Sequence, residues 1–292
     1  AYLYMHDYDN AYKWGKTWVD GQYGSEYSLL ADYEQNFTLA SENGPESVFE
    51  IQYMEEPTSD YGEGFGFTRG TFTSILSRPR CSSLGGNAGW GFGHPTFDLY
   101  NEFESGDPRR DLTIGVPDES DREEVEVNYL GNPNYNRKIC YWENGAFPAL
   151  SHATRSPMNY RLIRATDGLL LYAEAALESG KDIAGAKWAL EEVRARARAM
   201  AGDAAVLPEF PGYLGYSDNS DDLRKAIRHE RRVELALEGH RWFDLVRWGI
   251  AAEVMDKDRG SYGKNESDIV RAEMANFIKG RNELFPLPAE EL

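Results

Sequence analysis

The sequence predicts a mainly α-helical fold of antiparallel helical hairpins, interrupted by a large irregular, loop-rich region containing a few short strands. Three observations carry this. Residues 159–201 hold two apolar stripes of helical period separated by a glycine stop. Residues 57–157 lose that period and fill with Gly, Pro, Ser/Thr and aromatics. Residues 227–249, IRHERRVELALEGHRWFDLVRWG, set five arginines and four carboxylates among Trp, Phe and Leu. A surface helix would segregate charged and apolar side chains onto two faces. This stretch mixes them.

The elements follow in order. In residues 1–23, Tyr4, Tyr8, Ala11, Gly15 and Trp18 recur at helical spacing. HDYDNAYKWGKTWVDGQYG also resembles the second helix of a tetratricopeptide hairpin. Such a helix cannot bury its face alone, so the chain is expected to begin inside a domain. ESVFEIQYM (46–54) alternates like a strand, PTFDLYNEFESGDPRR promises a short helix from Pro95 to near Gly106, and RKICYW (137–142) suggests a strand. Helix returns near Asn159. One stripe is Leu169, Tyr172, Ala173, Ala176 and Leu177; Gly180 stops it. Asp182 caps the next, whose stripe is Ile183, Ala186, Leu190, Val193 and Ala197. This tetratricopeptide-like hairpin is followed by a linker. Asp221 or Asp222 is expected to cap the charged helix, which Gly239 interrupts before a further helix from about His240 to Val254.

The 292 residues suffice for a sizeable core. We read them as one domain, 1–292, incomplete at its N-terminus: 1–56 helix and strand, 57–157 loop-rich, 158–292 a C-terminal helical scaffold. The net charge of −18 argues against nucleic-acid binding and, without a local basic pocket, against polyanions. Neutral glycans and divalent cations remain compatible. No run of about twenty apolar residues can span a bilayer. Cys81 and Cys140 are either two separate buried thiols or one disulfide; both readings stand open.

Several long segments resemble the SusD/RagB family. LRKAIRHERRVELALEGHRWFDLVRWG is similar to its C-terminal hallmark and YRLIRATDGLLLYAEAALE to its other signature. GWGFGHPTFDLYNEFESGDPRRDLTI and the closing LFPLPAEEL fit as well, all in the expected order. The resemblance implies a SusD-like α-α superhelix. It implies a surface-exposed outer-membrane lipoprotein of Bacteroidota that binds a glycan and serves a SusC-like TonB-dependent transporter as its lid. It further implies an upstream signal peptide, lipidated cysteine and first hairpins, the only membrane attachment expected. Cys81 and Cys140 are internal and cannot be that anchor.

Glu230, Glu234 and Glu238 recur every four residues, an arrangement that destabilises a helix unless cations answer it. Arginines from the hairpin (Arg194, Arg196, Arg198) and from the stretch itself (Arg231, Arg241, Arg247) are the expected answer. Carboxylates held so make poor general acids, so we expect a structural network and no catalytic residue. No Glu-x-x-His pair, zinc spacing, nucleophile elbow or phosphate loop appears. His6, His94, His152, His229 and His240 form no ligand pair.

A glycan asks for flat aromatics against its C–H faces and for planar polar groups against its hydroxyls. The loop region supplies both, and loops carry function. The expected ligand-binding residues are Tyr61, Phe65, Phe67, Arg69, Asn87, Trp90, Tyr141 and Trp142, with Phe92, Tyr129 and Tyr135 nearby. No cofactor is expected; calcium in PDESDREE (117–124) is an open alternative to a solvated acidic run. Three functions are thus weighed. The leading one is capture of oligosaccharide for a transporter. The second is a tetratricopeptide-like protein-interaction scaffold or peptide-binding lid. The weakest is a glycoside hydrolase using Glu50, Glu55 or Glu63.

Overall fold

The computed structural model describes residues 1–55, 69–128, 132–143, 145–150, 155–256, 266–274 and 276–286. The first helix, α1 (Tyr8–Gly21), is shorter than the apolar pattern suggests. Asp7 caps it by accepting from the Asn10 amide at 3.2 Å, so residues 1–7 form turns instead. Strand β1 (Ser47–Ile51) follows. The loop-rich region holds α2 (Thr73–Ser77), α3 (Phe97–Glu102), α4 (Arg109–Thr113), β2 (Ile114–Gly115), α5 (Glu119–Asn128) and β3 (Tyr135–Asn136). The scaffold then runs through β4 (Tyr160–Arg164), α6 (Ala165–Glu178), α7 (Ile183–Ala201), α8 (Ser220–Glu234), α9 (Arg241–Arg247), α10 (Ala251–Val254) and α11 (Asp268–Met274).

The fold is mainly helical, as expected. Its described strands form two small antiparallel pairs, β1 with β4 and β2 with β3. Several expectations need correcting. Residues 137–142 are not a strand; the pairing falls at Tyr135–Asn136, and Tyr141 takes a φ of 51° that breaks any extended run. The return to helix is delayed to Ala165, because residues 160–164 pair with β1. Asn219, not Asp221 or Asp222, caps α8, accepting from the Asp222 amide at 2.9 Å. The helix expected from His240 to Val254 is split at Gly249, which has a φ of 70°. Cys81 and Cys140 are both buried and unbridged.

The hairpin forms as the sequence predicts. Gly180 turns with a φ of 67° and Asp182 caps α7 through the Gly185 amide at 2.7 Å. Ala173, Ala176, Ala186 and Ala189 are fully buried and let the two helices approach closely. Leu169, Leu170, Leu190, Val193, Leu223 and Ile227 fill the space that α6, α7 and α8 enclose. Helix α1 closes this core from the side. Its Trp18 lies over Gly168, where a Cβ would come within 2.8 Å of the indole.

Behind the core sits the ionic network. Glu234 is fully buried and meets three guanidiniums: Arg196 at 2.5 Å, Arg109 at 3.0 Å and Arg164 at 3.2 Å. Glu238, in the turn after α8, accepts from Arg164 at 2.7 Å and from Lys138 at 2.8 Å. Glu230 is bonded to Arg109 and to Arg194, Glu46 to Arg164 and Arg196, and Asp107 to Arg109. Arg109, Lys138, Arg164, Arg194 and Arg196 thus face Glu46, Glu104, Asp107, Glu230, Glu234 and Glu238, with Glu104 shared with His229. Burial by itself would raise the carboxyls of Glu46, Glu234 and Glu238. Around Glu234 the guanidiniums of Arg196, Arg164 and Arg109 reverse it, and Arg164 with Lys138 holds Glu238 down at about 2. The arrangement stitches the loop before β1, the region of α4, the loop at Lys138, and helices α7 and α8 into one body.

Removing the Glu234 carboxylate takes one shared anion from three buried guanidiniums and leaves the buried network with excess positive charge. Glu234→Ala should lower the unfolding free energy by about 3–5 kcal/mol, measured by urea denaturation; a loss below roughly 1 kcal/mol would contradict this bracing role. A carboxyl held below its usual range stabilises the fold above its unfolded pKa and loses that contribution as the pH falls through the folded one. For Glu238 the window runs from its ordinary 4.5 down to about 2. Thermal melts should therefore drop steeply between those limits, and a flat profile there would refute the assignment.

Candidate functional site

The loop-rich region forms a cleft of about 380 Å³. Two short elements and a close backbone approach shape it. The β2–β3 pair sets Gly115 opposite Tyr135, and a Cβ on Gly115 would fall 2.0 Å from the phenol ring. Glycine is therefore needed to let the ring lie across the ribbon. Tyr135 then packs on Phe147 at 5.9 Å, and Trp142 meets Phe147 edge-on at 4.8 Å. Arg137 lies 5.0 Å from the Trp142 ring, fixing it from the side. Asn87, Asp118 and Asp121 add planar polar groups to the lining.

The aromatic surface and polar groups of this cleft are those a saccharide requires. The Asp118 carboxylate has no ion-pair partner among the described residues. Asp121 accepts from the Ser83 hydroxyl at 2.6 Å, and the Trp142 indole N–H is buried with no acceptor among the described residues. The acidic run 117–124 covers the start of α5, and its Glu124 accepts from the Ser82 amide and hydroxyl. Among the described residues, no group of three or more His, Cys, Asp or Glu is placed to hold a metal ion.

Of the expected ligand residues, the cleft brings Asn87 and Trp142 together. Tyr141 is 8% exposed and lies outside the cleft lining, whereas Tyr135, 6% exposed, reaches that lining. Trp90 is half-exposed and leans toward Phe72 at 6.4 Å, outside the cleft lining. Arg69 lines a separate shallow hollow with Gln52, Tyr53 and Met54. Tyr61, Phe65 and Phe67, with Glu63, Tyr129 and His152, lie outside the described residues. The sequence reading named Tyr135 among the loop aromatics but missed Phe147, Asp118 and Asp121 as lining groups. Aromatic content near a turn was their only signal, and pairing between β2 and β3 is not visible locally.

Other hollows fit a saccharide less well. The largest, about 680 Å³, lies between α1, α6 and α9 and is lined by Trp14, Trp18, Leu171 and Phe243. Its carboxylates are already taken: Arg231 holds Asp167 at 2.8 Å and Asp244 at 3.1 Å. The glycosidase reading also loses its described buried acid, since Glu50 pairs with Arg161 at 2.9 Å.

Known proteins place this architecture. The model of the SusD family matches residues 45–292, and the chain belongs to that family. It is 26% identical to SusD-like protein P2 of Formosa agariphila, over the whole of this chain and 55% of that protein. SusD-like protein P25 of the same organism is 28% identical over 79% of this chain and 45% of its own length. Among solved structures, a SusD homolog from Bacteroides thetaiotaomicron aligns with a TM-score of 0.74 at 24% identity, covering 98% of this chain and 57% of that one. A laminarin-binding SusD-like protein aligns at 0.70 with 27% identity, covering 99% and 57%. The chain thus spans about half the length of the relatives it matches.

Gly115→Ala should push the Tyr135 ring out of the cleft. The Tyr135 ring resonances in an NMR spectrum should shift while those of the α6–α7 core stay in place. An unchanged Tyr135 would show that the ribbon has room to spare.

Proposed function

We propose that this chain is the saccharide-gripping part of a cell-surface glycan-binding protein of an outer-membrane polysaccharide uptake system. It captures an oligosaccharide and delivers it to a SusC-like TonB-dependent transporter. It binds and hands over its ligand and breaks no bond. The cleft framed by Asn87, Asp118, Asp121, Tyr135 and Trp142 carries this reading, because it combines ring faces with planar hydrogen-bonding groups. The name of the laminarin-binding relative supports a neutral glucan as first ligand to try. The scaffold reading draws on a different observation. Trp14 and Phe243 stand half-exposed at the large apolar hollow, a composition suited to a protein neighbour.

Calorimetry with a neutral β-glucan oligosaccharide should show saturable heat and no new reducing ends. Trp142→Ala should weaken binding by about 2 kcal/mol, roughly thirty-fold, with the melting temperature checked in parallel. Reducing sugar released at a catalytic rate would overturn the non-enzymatic reading. Co-purification with a β-barrel transporter and no heat with any neutral glycan would favour the scaffold.

A further inference from the structure

In a chain of net charge −18, one hollow is cationic. It measures about 420 Å³ and lies beside α8 and α9. Lys225, Arg228, Arg232 and Arg241 line it, and Glu102 is the sole carboxylate in that lining. Glu102 is already engaged, by Arg232 at 2.6 Å and by His229 at 2.9 Å. Arg232 also bonds Asp98, and Lys225 pairs with Asp222 at 2.8 Å. Arg228 and Arg241 are different: neither has an ion-pair partner among the described residues.

Both sit over one indole. Arg228 lies 4.7 Å and Arg241 5.9 Å from the Trp248 ring, which Glu174 tethers through its N–H at 3.0 Å. A cation over a ring uses the flat face of the guanidinium and leaves its in-plane N–H donors open. The Arg228 Nε is buried without an acceptor. Burial, then repulsion from Arg232, pulls Arg241 down to about 10, so it remains charged at neutral pH. The carboxylates near them, Glu174 and Glu178 for Arg228 and Glu102, Asp244 and Asp98 for Arg241, are each bonded to another arginine, so these two half-buried guanidiniums line the hollow with donors of the kind that grip carboxylate or sulfate. Tyr216 and Asn101 in the same lining add a ring face and an amide.

We propose that this hollow is a second ligand site, which takes the carboxylate or sulfate group of an acidic saccharide on Arg228 and Arg241. The anion clamp is independent of the aromatic cleft; the choice of a saccharide as carrier rests on the glycan-binding reading above. It places an acidic substituent and a neutral chain in two separate hollows.

Calorimetric titration with sodium sulfate, acetate, glucuronate and glucose tests it. Sulfate and glucuronate should bind saturably, more weakly at high salt, with glucuronate tighter than acetate and glucose silent. Arg228→Gln and Arg241→Gln should each weaken anion binding at least about ten-fold, whereas Trp142→Ala leaves it unchanged. Conversely, the arginine variants should retain neutral β-glucan binding, which separates failure here from failure of the aromatic cleft. If a variant does not fold, the Trp248 indole N–H resonance of the wild-type protein should still move on sulfate titration. No anion response, or wild-type affinity in both variants, overturns the site. Glucuronate no tighter than acetate overturns the saccharide carrier.

Discussion

Glu234 accepts from three guanidiniums that arrive from three different parts of the chain, and the rest of the structure depends on that convergence. Arg109 belongs to α4, Arg164 to the end of β4, and Arg196 to α7. A buried carboxylate is costly on its own. Here its backbone carbonyl is satisfied as well, by Lys138 at 2.9 Å and by the Tyr33 hydroxyl at 3.1 Å. The loop-rich region has a small apolar cluster of Tyr135, Cys140 and Phe147, and directional ionic contacts through Arg109 and Lys138 hold it against the helices. Buried ion pairs are weak sources of net stability but exacting in geometry. That suits a region whose task is to present loops in one arrangement.

The same economy of charge explains the contrast between the two hollows. In the network, each guanidinium has a carboxylate. At Trp248 three guanidiniums share an indole; Arg247 is paired with Glu174 and Asp244, while Arg228 and Arg241 have no ion-pair partner among the described residues. The aromatic cleft has the opposite character: Asp118 and Asp121 face it with Asn87 and an indole. A hydroxyl-rich neutral ligand suits the second, an anionic one the first. The overall negative charge makes the separation effective, because the acidic surface repels anions everywhere except where arginines are concentrated.

Much of the helical scaffold was legible beforehand. Gly180 and Asp182 punctuate the α6–α7 hairpin by local chemistry alone, and the alanine and leucine stripes mark its buried faces. The charged stretch was legible as a network because repeated carboxylates need cations, whatever the fold. Its particular partners were not. Arg109 and Lys138 lie about a hundred residues away in the loop region, and neither was among the arginines expected to answer Glu234. Trp142 and Asn87 were legible as loop groups of the right chemistry, but Tyr141 looked equally suitable and is buried.

By itself, the sequence determined the helical hairpin, its caps, the loop-rich interruption and the need for charge compensation. Each follows from interactions within a few residues or from a residue's own chemistry. Tertiary structure alone decided which aromatics face a cleft and which guanidiniums stay unpaired. The two-residue ribbon between β2 and β3, which lays the Tyr135 ring over Gly115, bears on the first. Long-range pairing settles the second, since an arginine is vacant only after every carboxylate that the fold brings near has been assigned elsewhere.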